Sequence, residues 1–208
     1  MKTALIILAK APAPGLSKTR LMPALGAAGA AKLAQRLLDH TIETALQTKD
    51  FAHLELCVTP DLNHQAFVQH RTALKFRAPF FAWTLQSDGD LGARMQQAFE
   101  RVLEHCDAAV MIGTDAPAIT ATQLHHAALD LTQHDAVFVP ALDGGYALIG
   151  LKRMIPTLFT DMPWSTSEVM QTTSRRLAAL GSSWQTYPAV HDIDEPDDLQ
   201  HLPKGWVA

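Results

Sequence analysis

The sequence predicts an α/β protein: a three-layer α/β/α sandwich around a mostly parallel sheet with one antiparallel element. Three observations lead there. Short continuous apolar runs recur at Ala4–Leu8, Leu54–Val58, Ala108–Ile112 and Ala136–Pro140, as strands buried on both faces require. Between them lie segments with apolar residues at helical spacing, which alternate with the strands and so build a parallel sheet covered on both sides. Asp143-Gly144-Gly145, ahead of the run Tyr146–Leu151, has the residues of a hairpin turn and supplies the antiparallel element.

Taken in order, Ala4–Leu8 is the first strand, followed by a cationic loop. Leu33, Leu37, Leu38, Ile42, Ala45 and Leu46 mark an amphipathic helix over roughly residues 27–48. Leu54–Val58 is closed by the turn residues Thr59-Pro60-Asp61, Asn63–His70 reads as a short helix, and Phe80–Leu85 as a strand. Ser87-Asp88-Gly89-Asp90 caps a helix to about Glu104, whose stripe is Leu91, Met95, Phe99, Val102 and Leu103. After Ala108–Ile112, Thr120 caps a helix to about Thr132. Strands Ala136–Pro140 and Tyr146–Leu151, helices near 152–159 and 166–180, a strand near 184–187 and a short final helix complete the reading.

A chain of 208 residues can bury one core, and residues 1–208 are expected to form a single domain. A net charge of -4 argues against a protein built to grip nucleic-acid backbone, though it leaves room for a local cationic pocket. Cys57 and Cys106 lack zinc-site spacing and read as buried thiols. The apolar run Thr3–Ala9 is too short for a signal peptide and ends in Lys10 and prolines. No stretch approaches the roughly 20 apolar residues of a membrane span, so a cytoplasmic enzyme is expected.

The densest chemistry lies in Ala9–Met22, directly after the first strand. Lys10, Lys18 and Arg20, with Gly15, Ser17 and Thr19, offer donors to anionic oxygens where open α/β sheets bind ligands. Ser17-Lys18-Thr19 looks like the end of a Walker A loop, but Pro12 and Ser17 stand where its glycines belong. Proline has no N–H to donate, so a backbone nest of that kind is excluded and phosphate contacts fall to side chains. The dinucleotide fingerprint also fails, because Gly26-Ala27-Ala28-Gly29 has the wrong spacing and place. Lys18 as a solvated cation and Arg20 paired with a surface acid is the bland alternative.

Asp115 follows a buried strand and faces the same crevice, either as a ligand for Mg²⁺ or Mn²⁺ or as a turn residue ahead of Pro117. Asp143-Gly144-Gly145-Tyr146 permits close approach of backbone to ligand, or is simply a turn. In His191-Asp192-Ile193-Asp194-Glu195, His191 and Asp192 are candidate metal ligands, while Asp194 or Glu195 caps the final helix. Arg94, in the first turn after Gly89-Asp90, reads equally as an anion contact or a surface cation. Trp164 is an acceptor platform or a core residue. Neither a G-x-S-x-G elbow nor an HExxH pair is present to support hydrolase chemistry.

The series A-K-x-P-x-P-G-x-x-K-T-R-L, G-D-L-G-x-R-M, G-T-D-x-P, P-x-x-D-G-G-Y-x-L-I-G-L, P-W-S-T and D-I-D-x-P-D-D-L spans about residues 3–200. In this joint pattern the chain resembles the DUF2064 proteins, GT-A-like glycosyltransferases related to MobA-type and phospholactate-guanylyltransferase-type nucleotidyltransferases. The resemblance implies a nucleotide-diphospho-sugar transferase (GT-A, Rossmann-like) fold. It also implies nucleotide-phosphate contacts from Lys10, Lys18 and Arg20, and a metal-binding acid at Asp115. One acid stands where glycosyltransferases of this fold carry D-x-D, and the loop is proline-rich rather than glycine-rich. The expectation is a nucleotide-sugar-dependent glycosyltransferase using Mg²⁺ or Mn²⁺ and a small acceptor, with Asp143 or Asp192 orienting the acceptor hydroxyl. Nucleotidyl transfer from an NTP to a phosphorylated small molecule is the alternative, and a non-catalytic nucleotide-binding protein the third.

Overall fold

A computed structural model describes residues 1–206; the last two residues of the expected domain lie outside the described residues. Seven strands form one sheet in the order β3-β2-β1-β4-β6-β5-β7. They are β1 (Thr3–Lys10), β2 (Phe51–Thr59), β3 (Phe81–Leu85), β4 (Ala108–Ile112), β5 (Ala136–Pro140), β6 (Tyr146–Leu151) and β7 (Trp184–Thr186). Among the described strands only β6 runs against its neighbours, pairing antiparallel with both β4 and β5. Every parallel strand therefore ends, and β6 begins, at the same rim of the sheet.

Strand periodicity sorts the core into two layers. On β1, Leu5 and Ile7 face a cluster containing Leu38 and Ile42 of α1 (Met22–Leu46), Phe67 of α2 (Gln65–Leu74) and Leu124 of α4 (Ala121–Asp130). Ala4 and Ile6 face the other layer, with Met95 and Phe99 of α3 (Leu91–Leu103) and Leu177 of α5 (Val169–Ala179). The fold class is thus the one expected, with helices on both faces of a largely parallel sheet.

Three expected helices differ. The first begins at Met22 rather than near residue 27: Pro23 opens it and Gly26, at φ 67 and ψ 168, kinks it inside its first turns. The segment 152–159 holds only a 3-10 turn, Pro156–Leu158, because Pro156 has no N–H to continue a helix. The final helix is likewise a short 3-10 turn, Pro196–His201. The expected caps are present: Asp90 accepts from Ala93 N at 2.8 Å, and Thr120 forms a capping box with Gln123.

Candidate functional site

A cleft of about 550 Å³ lies over the rim where the parallel strands end. The first loop forms one wall. Ser17 is buried, and its hydroxyl accepts from Ala13 N at 3.1 Å and donates to Ala13 O at 3.0 Å, closing the proline segment into a rigid turn. Gly15 supplies the positive φ of that turn and does not line the cleft. Lys10, at the exposed end of β1, does.

Lys18 is neither a solvated cation nor an open phosphate contact. Its backbone is left-handed, at φ 50 and ψ 45, and its side chain is only 6% exposed. The ammonium ion-pairs with Asp115 Oδ1 at 2.7 Å and donates to Ile193 O at 2.5 Å. Ile193 N in turn donates to Asp115 O at 2.8 Å. The C-terminal segment is thereby strapped across the end of β4, with Ile193 fully buried among Leu21, Leu33 and Leu37. Arg20 reaches the same strap through Asp194 at 2.7 Å, but that pair is exposed and therefore exchangeable.

The acidic wall comes from the β5–β6 turn and the strap. Asp143 Oδ1 accepts from Gly145 N at 2.8 Å, fixing the turn, and Gly144 has φ 95. Gly144 itself lies against Ser167 and outside the lining; Asp143, Gly145 and Tyr146 line the cleft. Asp192 also lines it, and burial together with the neighbouring carboxylates, Asp143 foremost, pushes its carboxyl above the usual range. His191 is not part of this wall. Its ring stacks on His201 with centroids 3.4 Å apart, and the residue is not among those lining the cleft. Of the expected trio, Asp115 and Asp192 line the cleft and His191 does not. Glu195, not Asp194, caps the final turn.

Tyr146 and Trp164 meet edge to face, with centroids 6.2 Å apart. Among the described residues the buried Tyr146 hydroxyl has no hydrogen-bond partner, and desolvation pushes its pKa well above the phenol value. Trp164 is held against α3 at Gly92, where any Cβ would collide with Trp164 Nε1 and Phe159 O. Arg94 is anchored by Nε to Gly89 O at 3.0 Å and lines the cleft. Gln86, which the sequence reading passed over, lies at the end of β3 and bridges to β1 and β2. Its signal was its place directly after a strand, the same signal that singled out Asp115.

A family model described as an uncharacterized protein conserved in bacteria, DUF2064, matches residues 41–166. A crystal structure from Desulfovibrio desulfuricans G20, provisionally named a nucleotide-diphospho-sugar transferase, is 27% identical, with TM-score 0.82, over 94% of this chain and 84% of that one. A CMP:2-keto-3-deoxy-manno-octonic acid synthetase complexed with CTP shares the fold at TM-score 0.60 and 14% identity, over 97% of this chain and 96% of that one. The manganese complex of Rv0371C from Mycobacterium tuberculosis H37Rv does so at TM-score 0.55 and 15% identity, over 99% and 100%. No curated protein matches in sequence.

Proposed function

Because the chain belongs to the DUF2064 family and has the fold of nucleotide-diphospho-sugar transferases and cytidylyltransferases, we propose that it is a nucleotide-sugar-dependent glycosyltransferase acting on a small acceptor. One juxtaposition carries this: the cations Lys10, Arg20 and Arg94 share a cleft with the carboxylates Asp115, Asp143 and Asp192. Lys10 and Arg20 would bind the donor's diphosphate, Arg20 exchanging its exposed partner Asp194 for phosphate oxygens. Lys18 would act beneath them by fixing the Asp115 carboxylate. Asp143 would orient the acceptor hydroxyl, with the backbone of Gly145, Tyr146 and the Trp164 ring completing that end.

The donor set suits Mg²⁺ or Mn²⁺, since the carboxylates offer hard oxygens and the crowding that raises the Asp192 carboxyl above its usual range would be relieved by a divalent ion. Among the described residues no three metal-ligating side chains converge. An ion here would be held by one or two carboxylates, Asp115 and Asp192, and completed by donor phosphates. When bound, such an ion supplies positive charge beside the leaving diphosphate.

Nucleotidyl transfer is the second reading, favoured by the fold shared with the CTP-bound synthetase. Incubation with radiolabelled GTP, CTP, UDP-glucose and GDP-mannose plus candidate acceptors separates the two. Nucleoside diphosphate released from a nucleotide sugar is the expected result. Pyrophosphate released from an NTP, only when a phosphorylated acceptor is present, overturns glycosyl transfer in favour of the second reading.

A further inference from the structure

The sheet ends in β3 on one side and β7 on the other, and the two edges differ. β7 is three residues long, and so short a strand offers little for another chain to pair with. β3 is five residues long, and from Phe80 to Ser87 the chain carries neither a charge nor a proline. Gln86 N–H donates to Val58 O at 2.8 Å, so by strand periodicity Thr84 and Ala82 also face β2. Trp83 and Leu85 therefore turn their N–H and C=O groups outward, and among the described residues nothing pairs with them there. Large apolar side chains flank this edge: Phe76 is 89% exposed, Phe80 59% and Leu85 49%. Unpaired main-chain groups beside exposed aromatic surface form a template that a further strand would cover.

The order of charges selects the occupant. Lys75 and Arg77 precede the strand, and Asp88 and Asp90 follow it. A copy of the same strand laid antiparallel sets the cations of each chain against the acids of the other, whereas a parallel copy sets like against like. Arg77 is held by Glu43 and Asp90 caps α3, but Lys75 and Asp88 are exposed and form no ion pair among the described residues. We propose that β3 is the interface between two copies of this chain, paired antiparallel about a two-fold axis so that two sheets become one. With Trp83 on the axis, its main-chain groups meet those of the partner's Trp83, and Leu85 falls opposite the partner's Phe81. The same register brings the Lys75–Arg77 segment alongside the partner's Asp88. Five paired residues make a small contact, and the aromatic flank adds toward the area a stable dimer needs, about 800 Å² per partner. Because the partner strand is reversed, the two clefts open at opposite rims of the joined sheet. The pairing does not depend on the nucleotide-donor reading.

The test is the mass of the full chain in solution, measured by sedimentation velocity from about 1 to 100 µM. The expected result is a species of twice the chain's mass that dissociates on dilution. Leu85→Lys puts a charge into the covered edge twice per dimer and should weaken association about tenfold or more. Lys75→Glu and Asp88→Lys, made singly, each set like charges together and should weaken it about threefold to tenfold at low salt. The double variant Lys75→Glu/Asp88→Lys restores opposite charges and should return to within about twofold of the parent. Both charged positions are exposed, so folding is unaffected, and far-UV circular dichroism checks this. A chain that stays monomeric at every concentration overturns the proposal and leaves the edge to a strand of a different protein. A dimer indifferent to these substitutions is built elsewhere on the surface and overturns it too. Loss of the dimer in both single charge variants without recovery in the double overturns the antiparallel register.

Discussion

Glu55 brings a carboxylate into the α3 face of the sheet with only 3% of its side chain exposed. Burial alone would raise its pKa, but hydrogen bonds from His53, Thr84 and Arg101, and the charge of Arg101, outweigh burial and hold it below the usual range. A depressed carboxylate contributes stability above its unfolded pKa, about 4.3, and loses it as pH falls through the folded value. Arg101→Met should therefore cost about 2–3 kcal/mol at pH 7, less than a fully dry pair because Arg101 is partly exposed. With the arginine gone, burial wins and Glu55 protonates readily, so urea melts should show the gap to the parent chain narrowing toward pH 4. Gly92 has a different constraint, the close approach of Trp164 and the Phe159 carbonyl. Gly92→Ala should cost about 1–3 kcal/mol by overpacking and alter tryptophan fluorescence, because the indole must move. At this scale the sequence located residues better than it did their partners. Lys18 was legible as a cation at a strand end, but its burial against Asp115 and Ile193 depends on a segment some 175 residues away. No local pattern encodes that distance.

Elements that depend on local chemistry were the most legible. The strands are short apolar runs, the helices after Asp90 and Thr120 open on side-chain caps, and both signals lie within a few residues. Where propensity and tertiary context disagree, the expectation moved. The early start of α1 runs through Gly26 because Leu21, Ala30 and Leu33 are anchored by Ile193, a packing reason invisible in the sequence. The strap at Ile193 leads to a prediction for this element. Ile193→Ala leaves a cavity in a small cluster and should cost about 2–4 kcal/mol locally. Hydrogen exchange should then show residues 18–21 and 113–115 losing protection while β1 and β2 keep theirs. Uniform loss across the sheet would mean that the strap is part of the global core instead.

For the whole molecule, ligand binding and stability are linked. A nucleotide donor at about 100 times its Kd adds about 2.7 kcal/mol. For a domain of this size that raises Tm by roughly 5–10 °C. Thermal melts with saturating nucleotide and Mg²⁺ should show this rise, and chelation should remove part of it in the parent chain but little in Asp115→Ala. No change in Tm with any nucleotide or nucleotide sugar would count against the cleft as a donor site. The reversed direction of β6 has one further consequence. It brings the Asp143 turn to the rim where the parallel strands end, so the β5–β6 turn joins the loops after β1 and β4 in lining the cleft. The opposite rim, where the chain turns at Lys49, Asp107 and Gly181, has no share in that lining. The cleft thus occupies one rim and leaves the other clear of it, and the protein could be fixed to a surface or joined to another protein at that other rim with the cleft still facing solvent.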